Sequence, residues 1–406
     1  MMGAYVYLSK PGVLCAAGSN ADELWNSVTD GKQDGIRKVT ALNGKTFFAG
    51  RIADDVLCKP SSARYDMRIM RIEELCLRQI EADIERVKTL YGAEKIGVCV
   101  GSCDNGTEFS LAGHRTYFES GSFPSDYSLE IQGADYVAAF IREKYLLSGP
   151  CLTFSTACSS SAGAIVKAAE LLKSGICDAV IAGGIDIASD TVLMGFDSLE
   201  AVSSEITNPF SKNRRGITLG EAAAFFVMTR DMPEGNAPFA RLLGWGESAD
   251  AYHMTSPEPG GDGAFRAMKS ALASAGLNAA DVDYINLHGT GTKFNDSMEA
   301  KAVDALFGGR ETPVLCSTTK PLTGHTLGAA GALEAAVCFL SIVNNIGKAA
   351  GEIKLPVQVW DGVQDEELPF LNIVSKGKNC AAGKVRVCMS NSFAFGGANS
   401  SLILGL

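Results

Sequence analysis

Residues suited to chemistry fall in three groups of short segments. In the first, Phe154-Ser155-Thr156-Ala157-Cys158-Ser159-Ser160-Ser161 joins an apolar strand, 151–154, to a helix ending near Gly175. That join puts Cys158 in the first helical turn, where unpaired N–H groups and the helix dipole favour a thiolate. The small residues from Ser159 to Ala164 allow the helix to pack closely and so to be central. A buried structural cysteine is the competing reading, and placement alone leaves both open. The second segment pair holds two of only four histidines. His288 lies in Asn286-Leu287-His288-Gly289-Thr290-Gly291-Thr292, and His325 in Thr323-Gly324-His325-Thr326-Leu327-Gly328. Each stands where a strand has ended and a Gly/Thr-rich turn begins, the place where α/β proteins collect catalytic groups. The third segment, Asn391-Ser392-Phe393-Ala394-Phe395-Gly396-Gly397-Ala398-Asn399, follows a strand at 385–390. Backbone N–H groups in such a turn can line an oxyanion hole, or the segment is simply a glycine turn.

The elements that must position these segments alternate. Apolar runs at 95–100 and 178–184 read as buried strands beside helices over 67–88 and 159–174. The order recurs in the second half: helix 263–275, strand 284–287, helix 296–307, strand 314–317, helix 327–343, then strands 385–390 and 400–405. This alternation predicts α/β layers with mainly parallel sheets. Turn chemistry at 230–240 marks the seam, dividing the chain into halves 1–235 and 236–406. No sequence repeat between the halves is evident.

The length, 406 residues, is about two to four ordinary domains. A chain 46% hydrophobic and 20% charged can bury a large core and is not disordered. The net charge of −10 argues against coating nucleic acid or an anionic membrane through the global field. No run of about 18 apolar residues offers a membrane span. The opening Met1–Lys10 lacks a basic segment and reads as a first strand rather than a signal peptide. Twelve cysteines form no Cys-x-x-Cys pair, which argues against a zinc site or disulfide framework and for a reducing, cytoplasmic setting.

With these pieces assembled, the chain resembles the β-ketoacyl-acyl carrier protein synthases of the elongating type. The resemblance rests on Thr156-Ala157-Cys158-Ser159-Ser160, His288-Gly289-Thr290-Gly291-Thr292 with Asn295-Asp296 and Glu299, and Lys320 with Gly324-His325. It rests also on Gly328-Ala329-Ala330-Gly331 with Glu334, Phe393-Ala394-Phe395-Gly396-Gly397, and the loop Asp250-Ala251-Tyr252-His253-Met254-Thr255-Ser256-Pro257. These stand in the family's order across residues 150–400. The resemblance implies a thiolase-like five-layered α/β/α/β/α sandwich of two pseudo-duplicated halves. It implies a decarboxylative condensation in which Cys158 holds an acyl thioester and His288 and His325 stabilise the enolate formed from a malonyl carrier. The backbone N–H groups of Cys158 and Phe395 would form the oxyanion hole, with Phe395 as a gate. Lys320 would organise charge, paired with Glu334. Thr290, Thr292 and Thr255 would contact the pantetheine arm, and Asp296 and Glu299 would brace the turn after His288. No metal or bound cofactor is implied; phosphopantetheine arrives on an acyl carrier protein. The protein would be a homodimer, or a heterodimer with a chain-length-factor-like subunit. Two other readings stay open: a non-decarboxylating acyltransferase or thiolase-like enzyme, and a non-catalytic scaffold subunit.

Two departures stand out. Ala394 occupies a position where the family usually has glycine, which should stiffen the gating loop. Cys103 and Asp104, in Gly101-Ser102-Cys103-Asp104-Asn105-Gly106, replace small or apolar residues near the acyl pocket. That predicts a short, polar or conjugated acyl group, of the aryl-polyene or another specialised type, unless Asp104 turns away to cap a helix. For docking an acidic carrier, Arg64, Arg68 and Arg71 are spaced for one face of a helix, and Arg214-Arg215 form a second cluster.

Overall fold

The structure, a computed structural model, describes residues 5–232, 238–376 and 383–406. The boundary expected at 235/236 falls on 233–237, outside the described residues. The two halves repeat one another in hydrogen-bond sense. In the first, strand Gly12–Cys15 pairs antiparallel with Ala222–Thr229, which pairs antiparallel with Ala179–Asp186; parallel Ile96–Gly101 and Cys151–Phe154 follow. In the second, Ala240–Ala249 pairs antiparallel with Ala398–Gly405, then antiparallel with Val387–Phe393; parallel Tyr284–Asn286 and Leu315–Ser317 follow. Tyr7–Leu8 pairs with both Ala222–Thr229 and Ala240–Ala249 and welds the two into one twelve-stranded sheet.

Each half sends one helix into the centre. The helices Ser160–Lys173 and Ala330–Val343, 14 residues each, follow the strands Cys151–Phe154 and Leu315–Ser317. Ala330–Ile342 is buried on every side, and its residues are apolar apart from Glu334 and Ser341. The two approach closely: a Cβ on Gly331 would stand 2.6 Å from Ala162 N, so only glycine fits. The cores give the layer order. One cluster joins both central helices to the inner sheet faces. A second packs the helices Arg68–Arg78, Glu81–Tyr91 and Tyr136–Lys144 on the first sheet's outer face, and a third packs Asp262–Ala275 and Lys293–Phe307 on the second's. The result is the five-layered α/β/α/β/α sandwich of two pseudo-duplicated halves, the thiolase-like arrangement.

Local differences from the expected elements have tertiary causes. The helix expected over 67–88 breaks after Arg78, with Ile80 at φ −114°, ψ 9°. At the break the Gln79 amide binds Val13 N and Val13 O (3.1 and 2.9 Å), acting as one more partner for strand Gly12–Cys15. The helix expected over 327–343 is a 3-10 turn, Leu327–Ala329, followed by Ala330–Val343.

Candidate active site

Cys158 sits on a strained turn. Ala157 adopts φ 50°, a left-handed conformation that costs a non-glycine residue about 1–3 kcal/mol. The serines flanking Cys158 hold the turn in place. Ser160 Oγ donates to Ala157 O (2.6 Å) and accepts from Thr156 N (2.9 Å), and Ser159 Oγ donates to Thr156 O (2.8 Å). Ser161 Oγ accepts Ala332 N (2.8 Å), tying this turn to the opposite central helix. Leu327, at φ 51°, makes the same turn in the other half, with Gly328 in the place of Cys158.

His325 and His288 converge on the thiol. His325 Nε2 lies 3.0 Å from Cys158 Sγ, and the two imidazole rings meet edge-on at 5.3 Å. One donor atom from each of Cys158, His288 and His325 falls within 4.8 Å of the others, all three residues buried. A metal is the competing use of three such donors. At a tetrahedral zinc a sulfur and a nitrogen stand about 3.5 Å apart. Here Sγ and Nε2 are at direct hydrogen-bonding distance, and an ammonium group shares the pocket and repels a cation.

That ammonium belongs to Lys320, itself buried. Its Nζ donates to Glu334 Oε1 and to His288 O, and lies 3.5 Å from His288 Nδ1. A cationic donor facing Nδ1 makes that nitrogen the acceptor and puts the His288 proton on Nε2. His288 Nε2 has no hydrogen-bond partner among the described residues. Glu299 holds the same peptide from the other side, accepting His288 N and Gly289 N at 2.7 Å each. Asp296 accepts Gly291 N (3.0 Å) and Phe210 N (2.7 Å).

Burial sets the charge states. It pushes the Cys158 thiol up to about 11, against the opposing pull of Lys320 and the Phe395 backbone N–H. Burial thus works against the thiolate that the helix start, Lys320 and the Phe395 N–H favour. Burial, with Lys320 second, holds both histidines well below the ordinary imidazole range, so both are neutral. Glu334 and Glu299 are pushed to about 7 and Asp296 to about 6, again by burial.

Phe395 opens the turn Phe395–Gly397, its ring against Phe196 at 5.9 Å. It lines a cavity of about 340 Å³ together with Thr255, Thr292 and Asn295. Thr290 lies behind it, buried, its Oγ1 3.1 Å from Thr292 Oγ1.

Profiles of the family match both halves. The beta-ketoacyl synthase N-terminal domain matches residues 11–233 and the C-terminal domain residues 239–349. The chain belongs to the β-ketoacyl synthase family. It is 31% identical to a 3-oxoacyl-[acyl-carrier-protein] synthase 2 of Coxiella burnetii over 98% of both chains, and 30% identical to nodulation protein E of a Rhizobium species over 99% of both. Among solved structures it is similar to a ketosynthase in complex with its chain length factor from Xenorhabdus doucetiae, at 37% identity and TM-score 0.89 over 99% of this chain and 98% of that one. As a β-ketoacyl synthase it is a condensing acyltransferase acting on carrier-bound acyl groups.

Several expectations for this synthase are corrected by the contacts. Asp104 turns one carboxylate oxygen to the start of helix Thr107–Ser120: its Oδ1 accepts Gly106 N (2.7 Å), Thr107 N (3.2 Å) and Tyr136 OH (2.7 Å). Cys103 does stand against the nucleophile turn, its Sγ 3.3 Å from Ala157 O. Ala394 sits at φ −91°, which any residue adopts, so alanine is accommodated there without strain; the left-handed positions are Gly396 and Gly397.

The arginine face does not exist either. Arg64 lies outside the helix, in the turn Ala63–Tyr65, and pairs with Glu130. Arg71 pairs with Asp66 at 2.6 Å. Arg68 points inward to Glu221 (Nε to Oε2, 3.0 Å), whose fully buried carboxylate demands a counter-charge. Arg214 is likewise spent on Asp365 (2.5 Å).

One functional residue escaped the sequence reading. Asp186, at the end of strand Ala179–Asp186, accepts Cys103 N (2.9 Å), Gly328 N (2.6 Å) and Ser102 Oγ (3.2 Å). It clamps the loop beside the nucleophile to the matching turn of the other half. A carboxylate closing an otherwise apolar strand was the available signal.

Proposed function

We propose that Cys158 takes an acyl group from a carrier thioester and condenses it with malonyl carrier, giving a 3-oxoacyl carrier two carbons longer. His325 Nε2 accepts the thiol proton as Sγ attacks the thioester carbonyl, and returns it to the departing carrier thiol. The malonyl group then loses carbon dioxide, and its enolate oxygen takes a hydrogen bond from His288 Nε2–H, while His325, neutral again after returning the proton, stands beside it. The enolate carbon attacks the acyl thioester carbon. The N–H groups of Cys158 and Phe395 hold the oxyanion, which collapses to release the Cys158 thiolate and the ketoacyl carrier. The phosphopantetheine arm reaches Cys158 past Phe395, with Thr255 and Thr292 offering hydroxyls to its amides and Thr290 holding Thr292 from behind. No cofactor of the protein's own enters these steps.

The observation that carries the reading is the buried trio: a thiol 3.0 Å from one neutral imidazole and beside a second whose Nε2 is unpartnered. A thiolase or simple transferase needs no second neutral imidazole aimed at the same thiol. We infer that a second subunit, a copy of this chain or a chain-length-factor-like partner, docks along the sheet's free edge, Cys151–Phe154, where Leu152 is exposed.

The test is intact mass spectrometry after mixing the protein with malonyl carrier and a panel of short, long and aromatic acyl carriers. Acylation that is lost in Cys158→Ala, with a ketoacyl carrier appearing, bears the reading out. Acylation without condensation supports the transferase, and no acylation from any donor supports the scaffold.

A further inference from the structure

The cavity lined by Phe395 combines buried and exposed residues. Phe395 is half-buried, Asn295 is buried, and Thr255 and Thr292 are half-buried. Among the other lining residues, Phe294, Leu199, Lys293 and Arg215 are exposed. Lys293 and Arg215 are the cationic side chains of this lining, and neither forms an ion pair among the described residues. Elsewhere near the site the cations are spent: Arg214 on Asp365, Arg68 on Glu221 and Lys320 on Glu334. Glu200, also exposed, lines the same cavity and leaves it with one net positive charge.

A phosphopantetheine thioester carries groups that suit both parts. From the thioester outward come two amides, a dimethyl-substituted carbon and a phosphodiester. Hydroxyls and an amide side chain line the less exposed part of the cavity, and the two unpaired cations stand with Leu199 and Phe294 in its exposed part. We propose that Arg215 and Lys293 clamp the phosphodiester of the carrier's phosphopantetheine arm at the mouth of this cavity. Two charge-assisted donors give that end more of the recognition than the neutral middle. The clamp replaces the face expected from Arg64, Arg68 and Arg71. It rests on the condensing reading above, but its test does not require turnover.

The probes are 4′-phosphopantetheine and pantetheine, which differ by the phosphate alone, and the readout is protection of Cys158 from alkylation by iodoacetamide. In the wild-type protein the phosphorylated compound should protect at about tenfold lower concentration. Arg215→Glu and Lys293→Glu should each abolish that advantage, while Glu200→Gln should widen it. Both residues are exposed, so these variants fold. Equal protection by the two compounds, no protection by either, or an advantage surviving both reversals overturns the proposal. If the reversals instead raise KM only for the intact acyl carrier, the cations read acidic side chains of the carrier protein, which also overturns it. Failure of the wild-type protein to condense any substrate would sink the synthase reading and leave this comparison standing.

Discussion

Replacing Lys320 by methionine removes one charge and keeps most of the volume. Three reacting groups feel that charge: the Cys158 thiol and both imidazoles are pulled down by it. The ammonium also fixes the His288 tautomer through Nδ1 and anchors His288 O. The sign of the pH effect follows. An imidazole held below its ordinary value protonates only in acid. With the cation gone, protonation begins at higher pH, and the acid limb of the decarboxylation profile moves toward neutrality. His288 also loses its fixed proton position, so malonyl decarboxylation should fall about 10²-fold, the scale of a misplaced catalytic group.

Stability falls separately, because Glu334 is left buried without its partner. Breaking one side of such a pair costs about 3–5 kcal/mol. With an unfolding entropy of about 2.1 cal/mol/K per residue over this chain, Tm drops by about 4–6 °C. Lys320→Met/Glu334→Gln should recover part of that loss, since an amide needs no counter-charge, yet keep the displaced acid limb. The assay is carbon dioxide release from malonyl carrier across about pH 5.5–8.5, beside thermal melts and Cys158 acylation. A lowered Tm with a pH profile that overlays the wild type would refute the electrostatic role and reduce Lys320 to a structural brace.

Arg68→Glu sets a second carboxylate against buried Glu221, so it should destabilise the protein by about 3–5 kcal/mol; a raised KM for carrier substrates with an unmoved Tm would return Arg68 to the docking surface. The buried carboxyls also predict how stability varies with pH. Glu299, Glu334 and Asp186 are pushed to about 7 and Asp296 to about 6, so each binds its proton more tightly folded than unfolded. Each contributes stability at acid pH that is lost as pH rises from the ordinary carboxylate range to its folded value. The depressed histidines act in the opposite sense, but only below about 6.5, the ordinary imidazole value. Tm should therefore decline between about pH 6.5 and 7.5, read by scanning calorimetry; a rise over that interval would contradict the assignment.

The reacting residues were legible because their signal is local: a cysteine among serines at a strand-to-helix join, and histidines opening Gly/Thr turns. What the sequence could not show was which group faces which. The spacing of Arg68 and Arg71 marks a helix face, but Glu221, 153 residues from Arg68, decides that Arg68 turns inward. Gln79 breaks a helix because Val13 needs a partner, and Asp186 has its partners in Cys103 and Gly328. The repeat between halves was invisible for a related reason: it is conserved as strand sense and turn geometry, not as residues. That repeat accounts for the site's asymmetry. The same strained turn is built twice, at Ala157 and at Leu327. In one it presents a thiol. In the other a Cβ at Gly328 would stand 2.5 Å from Asp186 Oδ2 and 2.9 Å from Cys103 N. The second turn thus cannot carry a nucleophile, because the space beside it is taken by the carboxylate that locks Cys103 against the first. One half supplies the reacting atom, and its duplicate has become the bracket that holds the reacting atom in place.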